Sequence, residues 1–182
     1  MIAAIWSYLR EEIWKRRRAI ICGSESWVSV LLGVAVGVWG DGAALAAAEV
    51  GDIVTVVLTY ASIALGFCLA GLTLAVTLPD QEFARTLART VPKGASSDAY
   101  QELLFVFSWT AIAHWVMVST CIVAIAVVPS KEAVFPASFD TTRRLWVGAS
   151  VAVVAYGLCQ FLITLVTLSQ VGRRYIESLR AR

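Results

Sequence analysis

The chain has 182 residues, of which 59% are hydrophobic and 15% charged, with a formal net charge of +2 and a mean hydropathy of +0.75. That composition excludes an ordinary water-soluble domain, and the net charge is too small to argue for nucleic acid as a partner. Four scattered cysteines, Cys22, Cys68, Cys121 and Cys159, form no C-x-x-C pair; they read as small buried hydrophobes and exclude a dithiol redox centre.

Residues 1–18 place Ile2, Trp6, Leu9 and Ile13 at helical spacing, opposite Ser7, Arg10, Glu11 and Lys15. The pattern predicts an amphipathic helix lying on a membrane surface. Arg10, Glu11 and Glu12 interrupt the first apolar run, so no secretory leader is expected. Lys15, Arg16, Arg17 and Arg18 form a basic stop before the first candidate span, residues 19–39. This span is the weakest. Glu25 lies near its start, the fully apolar part is 27–39, and Gly33 and Gly37 form a GxxxG that lets another helix approach closely. Glu25 is a candidate proton site, with helix capping or a salt bridge to Arg16–Arg18 as the structural alternative.

Residues 53–78 run for 26 positions without a charged side chain, roughly 39 Å of helix against a bilayer core of about 30 Å. Thr55, Thr59, Ser62, Gly66, Thr73 and Thr77 follow steps of four, three, four, seven and four, one side of a helix. A small, hydroxylated stripe in lipid is expected to turn toward protein or water, either lining a path or packing helices. Asp52 is the expected N-cap of this span. Pro79 and Asp80 stop it, and Phe83, Leu87 and Val91 then alternate with Arg85 and Arg89 as a short surface helix. Asp98 with Gln101 predicts a capping box for the next helix.

The third span, 103–128, carries Trp109, Trp115 and the only histidine, His114, a candidate gate or proton site or else a satisfied neutral ring between helices. The fourth, 145–171, carries a polar track of Tyr156, Gln160, Thr164 and Thr167. Gln160 lies midway, where an unpaired amide is costly, so Gln160, Thr164 and Thr167 are either pore lining or interhelical bonds. Lys and Arg number twelve on the side of the two termini and three on the other, which predicts cytoplasmic N and C termini. Arg16, Arg17, Arg18, Arg85, Arg89, Arg173 and Arg174 then form a basic cytoplasmic rim for anionic lipid, an anionic ligand or a cytosolic partner.

The expected architecture is an all-α polytopic membrane protein. An amphipathic helix at 1–18 precedes a four-helix transmembrane domain at 19–182, with short amphipathic helices on the cytoplasmic face. The sequence contains no HExxH, GxSxG, phosphate-binding Gly loop or paired carboxylates in one span, so no enzymatic activity, cofactor or metal centre is expected. A single four-helix unit has little room for its own channel. The leading functional expectation is therefore a homo-oligomeric pore or ion channel. The alternative is a membrane anchor or sensor subunit for a cytosolic partner, and a third reading is a small proton-coupled exporter working through Glu25 or His114.

The segment LGFCLAGLTLAVTLPDQEF, residues 65–83, resembles small bacterial four-helix membrane proteins of anti-phage defence systems. The resemblance implies a homo-oligomeric effector or sensor in the bacterial inner membrane, working with a cytosolic partner and disturbing the membrane or reporting damage to it.

Overall fold

The computed structural model describes residues 13–14, 20, 22–39, 49–77, 81–91, 98–127, 134 and 141–180. The expected amphipathic helix at 1–18 and the basic stop at Lys15–Arg18 lie outside them, apart from residues 13 and 14. Among the described residues five helices follow: α1 (Ser24–Trp39), α2 (Val50–Val76), α3 (Gln81–Arg89), α4 (Ala99–Val127) and α5 (Thr141–Arg180). The described architecture is all-α, as expected.

Three of these helices, α2, α4 and α5, are long and apolar enough to cross a membrane. The first expected span is shorter than drawn from sequence: α1 has 16 residues, about 24 Å of rise, less than a hydrocarbon core of about 30 Å. Gly23 separates α1 from the helical residues 20 and 22 before it, and its carbonyl accepts from the Ser26 and Trp27 amides. α5 is longer than expected, with 40 residues. It runs on past Val171 through Arg173 and Arg174, which are exposed on its last turns.

Two helix ends differ in how they are made. Asp98 accepts from the Gln101 amide at 2.8 Å, as the capping box requires. Asp52 does not cap α2: Glu49 takes the N-cap position without a side-chain bond, and Asp52 lies inside the first turn. There its charge still meets the positive end of the helix dipole.

The helices associate as two pairs. α2 packs on α4 and α1 packs on α5, with α4 against α5 joining the pairs. Each pairing depends on small residues that let main chains approach. In the α1–α5 seam, a Cβ placed on Gly33 would overlap the Gly148 carbonyl and lie 2.8 Å from the Ala152 Cβ. A Cβ on Gly37 would lie 3.1 Å from the Arg144 carbonyl. The GxxxG of α1 therefore meets a Gly-xxx-Ala of α5. In the α2–α4 seam the Phe107 ring lies directly on Gly71, above a core of Cys68, Ala75, Leu103, Phe107 and Ala111. Between α4 and α5, Met117 lies on Gly157. α3 docks through its apolar side: Phe83 and Leu87 are buried, and the Phe83 ring meets Tyr175 of α5 at 4.9 Å.

Outside these seams the large apolar side chains point away from the protein. Trp27, Leu31, Ile63, Leu74, Val123 and Leu162 are all more than 60% exposed. In water such a surface would aggregate; in lipid it is the ordinary exterior of a spanning bundle. By length and composition, three helices able to cross a membrane and this apolar exterior suggest an integral membrane protein.

Replacing Gly33 with Leu is expected to push α1 off α5. An overpacked contact of this kind costs about 1–3 kcal/mol, read as a lower unfolding midpoint when the purified protein is titrated with SDS in mixed micelles. An unchanged midpoint would show that the seam contributes nothing to stability.

Candidate functional site

Two groups of polar residues lie within the spans, and the structure separates them. The first is the stripe on α2. The buried residues of α2 are Ala61, Ala64, Cys68 and Ala75. Thr55, Thr59, Ser62, Gly66, Thr73 and Thr77 are all exposed. At 100° per residue the stripe lies about 160° around the helix from the buried side. Among the described residues it therefore makes no seam, and alanines rather than hydroxyls supply the small surface on which α4 packs. A Cβ on Gly66 would meet open space.

Four threonines of the stripe bond back to their own helix. Their hydroxyls donate to the carbonyls of Gly51, Thr55, Leu69 and Thr73 at 2.7, 2.8, 2.9 and 2.8 Å. Each donor is thereby satisfied within the helix, and what remains toward the exterior is oxygen lone pairs. Asp52, also exposed, stands at the α2 N-terminus near the same side.

The second group is interior and joins all three long helices. His114 is fully buried. Its Nδ1 lies 2.8 Å from the Thr110 carbonyl and its Nε2 3.1 Å from the Tyr60 hydroxyl of α2. A carbonyl can only accept, so Nδ1 carries the proton; in the neutral ring Nε2 then accepts from Tyr60. Thr110 continues the chain into α5. Its hydroxyl lies 2.7 Å from that of Thr164, which in turn donates to the Gln160 carbonyl at 2.9 Å. Thr110 and Thr164 have no exposed surface, and Gln160 is 6% exposed. Tyr60, His114 and Phe161 pack edge to face around this chain. Nearby, the Trp109 indole donates to the Tyr156 hydroxyl at 2.8 Å.

Gln160 and Thr164 thus lie inside the protomer, on no surface shared with the α2 stripe. Thr167 is partly exposed and bonds back to the Ile163 carbonyl. Thr110 and Met117 share the face of His114 in the sequence, one turn to either side, whereas Tyr60 lies 54 positions away on another helix.

Of the two candidate proton sites, His114 is enclosed as described and Glu25 lies in the first turn of α1. The Ser24 hydroxyl donates to the Glu25 carboxylate at 3.2 Å, and Ser29 to its carbonyl at 2.6 Å. The basic rim is represented by Arg85, Arg89, Arg173 and Arg174, all exposed at the end where α3 docks; Arg16, Arg17 and Arg18 lie outside the described residues. Cys68 and Cys121 are buried, as expected, whereas Cys22 is exposed; all four cysteines are free. Among the described residues no three His, Cys, Asp or Glu side chains gather in a way that would hold a metal ion. Compared with family models, curated proteins and solved structures, the chain matches none.

Two measurements test the interior chain. A double-mutant cycle with Thr110→Val and Thr164→Val is expected to return a coupling of about 0.6 kcal/mol, with an upper bound near 1.7; purely additive losses would break the link between α4 and α5. Imidazole nitrogen NMR of His114 is expected to show the Nδ1–H tautomer, and Tyr60→Phe to shift Nε2 alone.

Proposed function

We propose that this chain is the protomer of a homo-oligomeric membrane pore in which the hydroxylated side of α2 faces a shared central axis. The observation that carries this reading is the outward direction of the stripe. Six small or hydroxyl positions stand in register on the side of α2 farthest from its own core. In a spanning helix, a side kept free of bulky apolar groups favours close approach of another copy or contact with water over contact with acyl chains. Cyclic symmetry brings identical copies of one such side together around a pore axis.

The donors of Thr55, Thr59, Thr73 and Thr77 are used within the helix. The lining therefore offers acceptors, and Asp52 adds negative charge at its N-terminal end. Acceptor oxygens replace part of a cation's hydration shell and give an anion nothing, so the pore favours cations, with modest selectivity. In this reading α1 completes a four-helix topology with cytoplasmic termini in a bacterial inner membrane, and the interior network holds each protomer together.

A second reading, an anchor or sensor for a cytosolic partner, is favoured by Arg85, Arg89, Arg173 and Arg174 standing exposed together at one end of the bundle. It fits the resemblance to anti-phage effectors, and the two readings are compatible in one oligomer. An exporter has less support, because both ring nitrogens of His114 are engaged inside the protomer.

The test is Ser62→Cys in a Cys22→Ser background, reconstituted in planar bilayers. A water-soluble thiol reagent is expected to lower the conductance, and the reversal potential in a salt gradient is expected to shift toward that of the cation. Membranes that stay sealed at every voltage, with the introduced thiol unreactive, would refute the pore.

A further inference from the structure

α5 is held to α1 at one point near its start and to α4 along a second stretch that begins with the Trp109–Tyr156 bond and Met117 on Gly157. Near its start Gly148 and Ala152 lie on Gly33 of α1. Farther along, Thr164 is bonded to Thr110 of α4. The first point draws α5 toward α1 and the second toward α4, so on the Trp39 side of the bundle α5 diverges from the α2–α4 pair. The result is a cleft between α5 and the α2–α4 pair.

The cleft consists of two overlapping cavities of about 590 and 530 Å³, with Ile53, Thr120, Ala124, Trp146 and Ser150 among the walls they share; the first also touches Val36 of α1 and Val134 of the connection before α5. None of the described lining residues is charged. Thr120 donates to its own helix, at 2.8 Å from the Val116 carbonyl. Along α5 the walls extend from Trp146 to Leu158, about 18 Å of helix, and on α4 they reach Met117, one turn from His114. Half of a hydrocarbon core of about 30 Å is about 15 Å. Trp146, 72% exposed, marks the headgroup level in such a span. The cleft therefore runs from the interface to the bilayer midplane, through one leaflet.

A void of this size does not stay empty, because its walls forgo dispersion contacts. Water is a poor filler, since a buried water needs two to four polar partners and these walls supply almost none. At this depth the surrounding solvent is acyl chain.

We infer that the cleft between α2, α4 and α5 is a binding site for one lipid acyl chain of the leaflet on the Trp39 side, entered sideways and selected by shape rather than by headgroup. The occupying chain fills the wedge between the two helix pairs and fixes the angle between them. The site depends on the membrane placement of the bundle and not on the pore, so it stands whether or not the oligomer conducts.

The experiment uses the full-length protein in nanodiscs of phosphatidylcholine carrying a diazirine midway along one acyl chain, photolysed and mapped by mass spectrometry. Lipid adducts are expected to concentrate on Thr120, Ala124 and Ser150 relative to Ile122 and Leu162 on the outward surfaces. The double variant Ala124→Trp, Ser150→Trp is expected to lower adducts on the remaining wall residues by about tenfold, since two indoles leave no room for a chain at interior packing density; adducts at Ile122 and Leu162 stay unchanged. If that variant does not assemble, the single change Ser150→Phe is expected to lower wall adducts in the same direction. Equal labelling of cleft and outward surfaces in the natural chain would overturn the site. So would wall labelling that ignores the substitutions, or a cleft that yields protein–protein adducts with a second copy in place of lipid.

Discussion

One hydrogen-bonded chain holds the long helices together. It runs from Tyr60 through His114 to the Thr110 carbonyl, and from the Thr110 hydroxyl through Thr164 to the Gln160 carbonyl. In water, three amphipathic helices would associate by burying apolar surface. In lipid that driving force is missing, because acyl chains solvate leucine as well as leucine does. Association then rests on polar groups that pair with one another, and on main chains close enough for dispersion. Each polar member of the chain has a partner, so none of them bears the cost of an unsatisfied group at low dielectric.

The glycine seams supply the second kind of contact. Gly33, Gly37 and Gly148 bring α1 and α5 together main chain to main chain, and Gly71 and Gly157 receive Phe107 and Met117. These contacts are insensitive to charge but sensitive to volume. The polar chain is the reverse: Thr→Val preserves shape and removes the bond. The two kinds fix different parts of the bundle. The glycines set how near α1 and α5 approach, and the polar chain sets the relative height of α2, α4 and α5. The remaining surface is left to the solvent of the bilayer, which is why bulky residues such as Trp27 and Ile63 point outward.

Much of this is legible in the residues before any coordinates. Uncharged runs of this length give the all-α spanning architecture, and the GxxxG of α1 predicts a close approach that Gly148 and Ala152 complete. Asp98 and Gln101 announce the start of α4. What is not legible has physical causes. The stripe on α2 reads equally as a lining or as a packing surface, and its direction is not legible because Ala61, Ala64 and Ala75 are as small and take the interior. Hydropathy does not distinguish alanine from leucine by size. The partner of His114 stays hidden in the sequence because Tyr60 lies 54 positions away, and only the antiparallel pairing of α2 and α4 brings them level. Asp52 reads as a cap, yet α2 begins before it, ahead of the point where the hydrophobic run starts.

The length of α5 has a mechanical consequence. It is one unbroken rod of about 60 Å, and its attachment at Thr164 acts as a fulcrum. From there one arm of about 24 Å reaches Gly148, and another of about 17 Å reaches Tyr175, whose ring meets Phe83 of α3. A rigid rod pivoting at that point displaces its two ends in opposite senses. Any push in one leaflet that changes the tilt of the Gly148 arm thus swings Tyr175 against Phe83 of α3, a helix packed on α4, by about two thirds as much the other way.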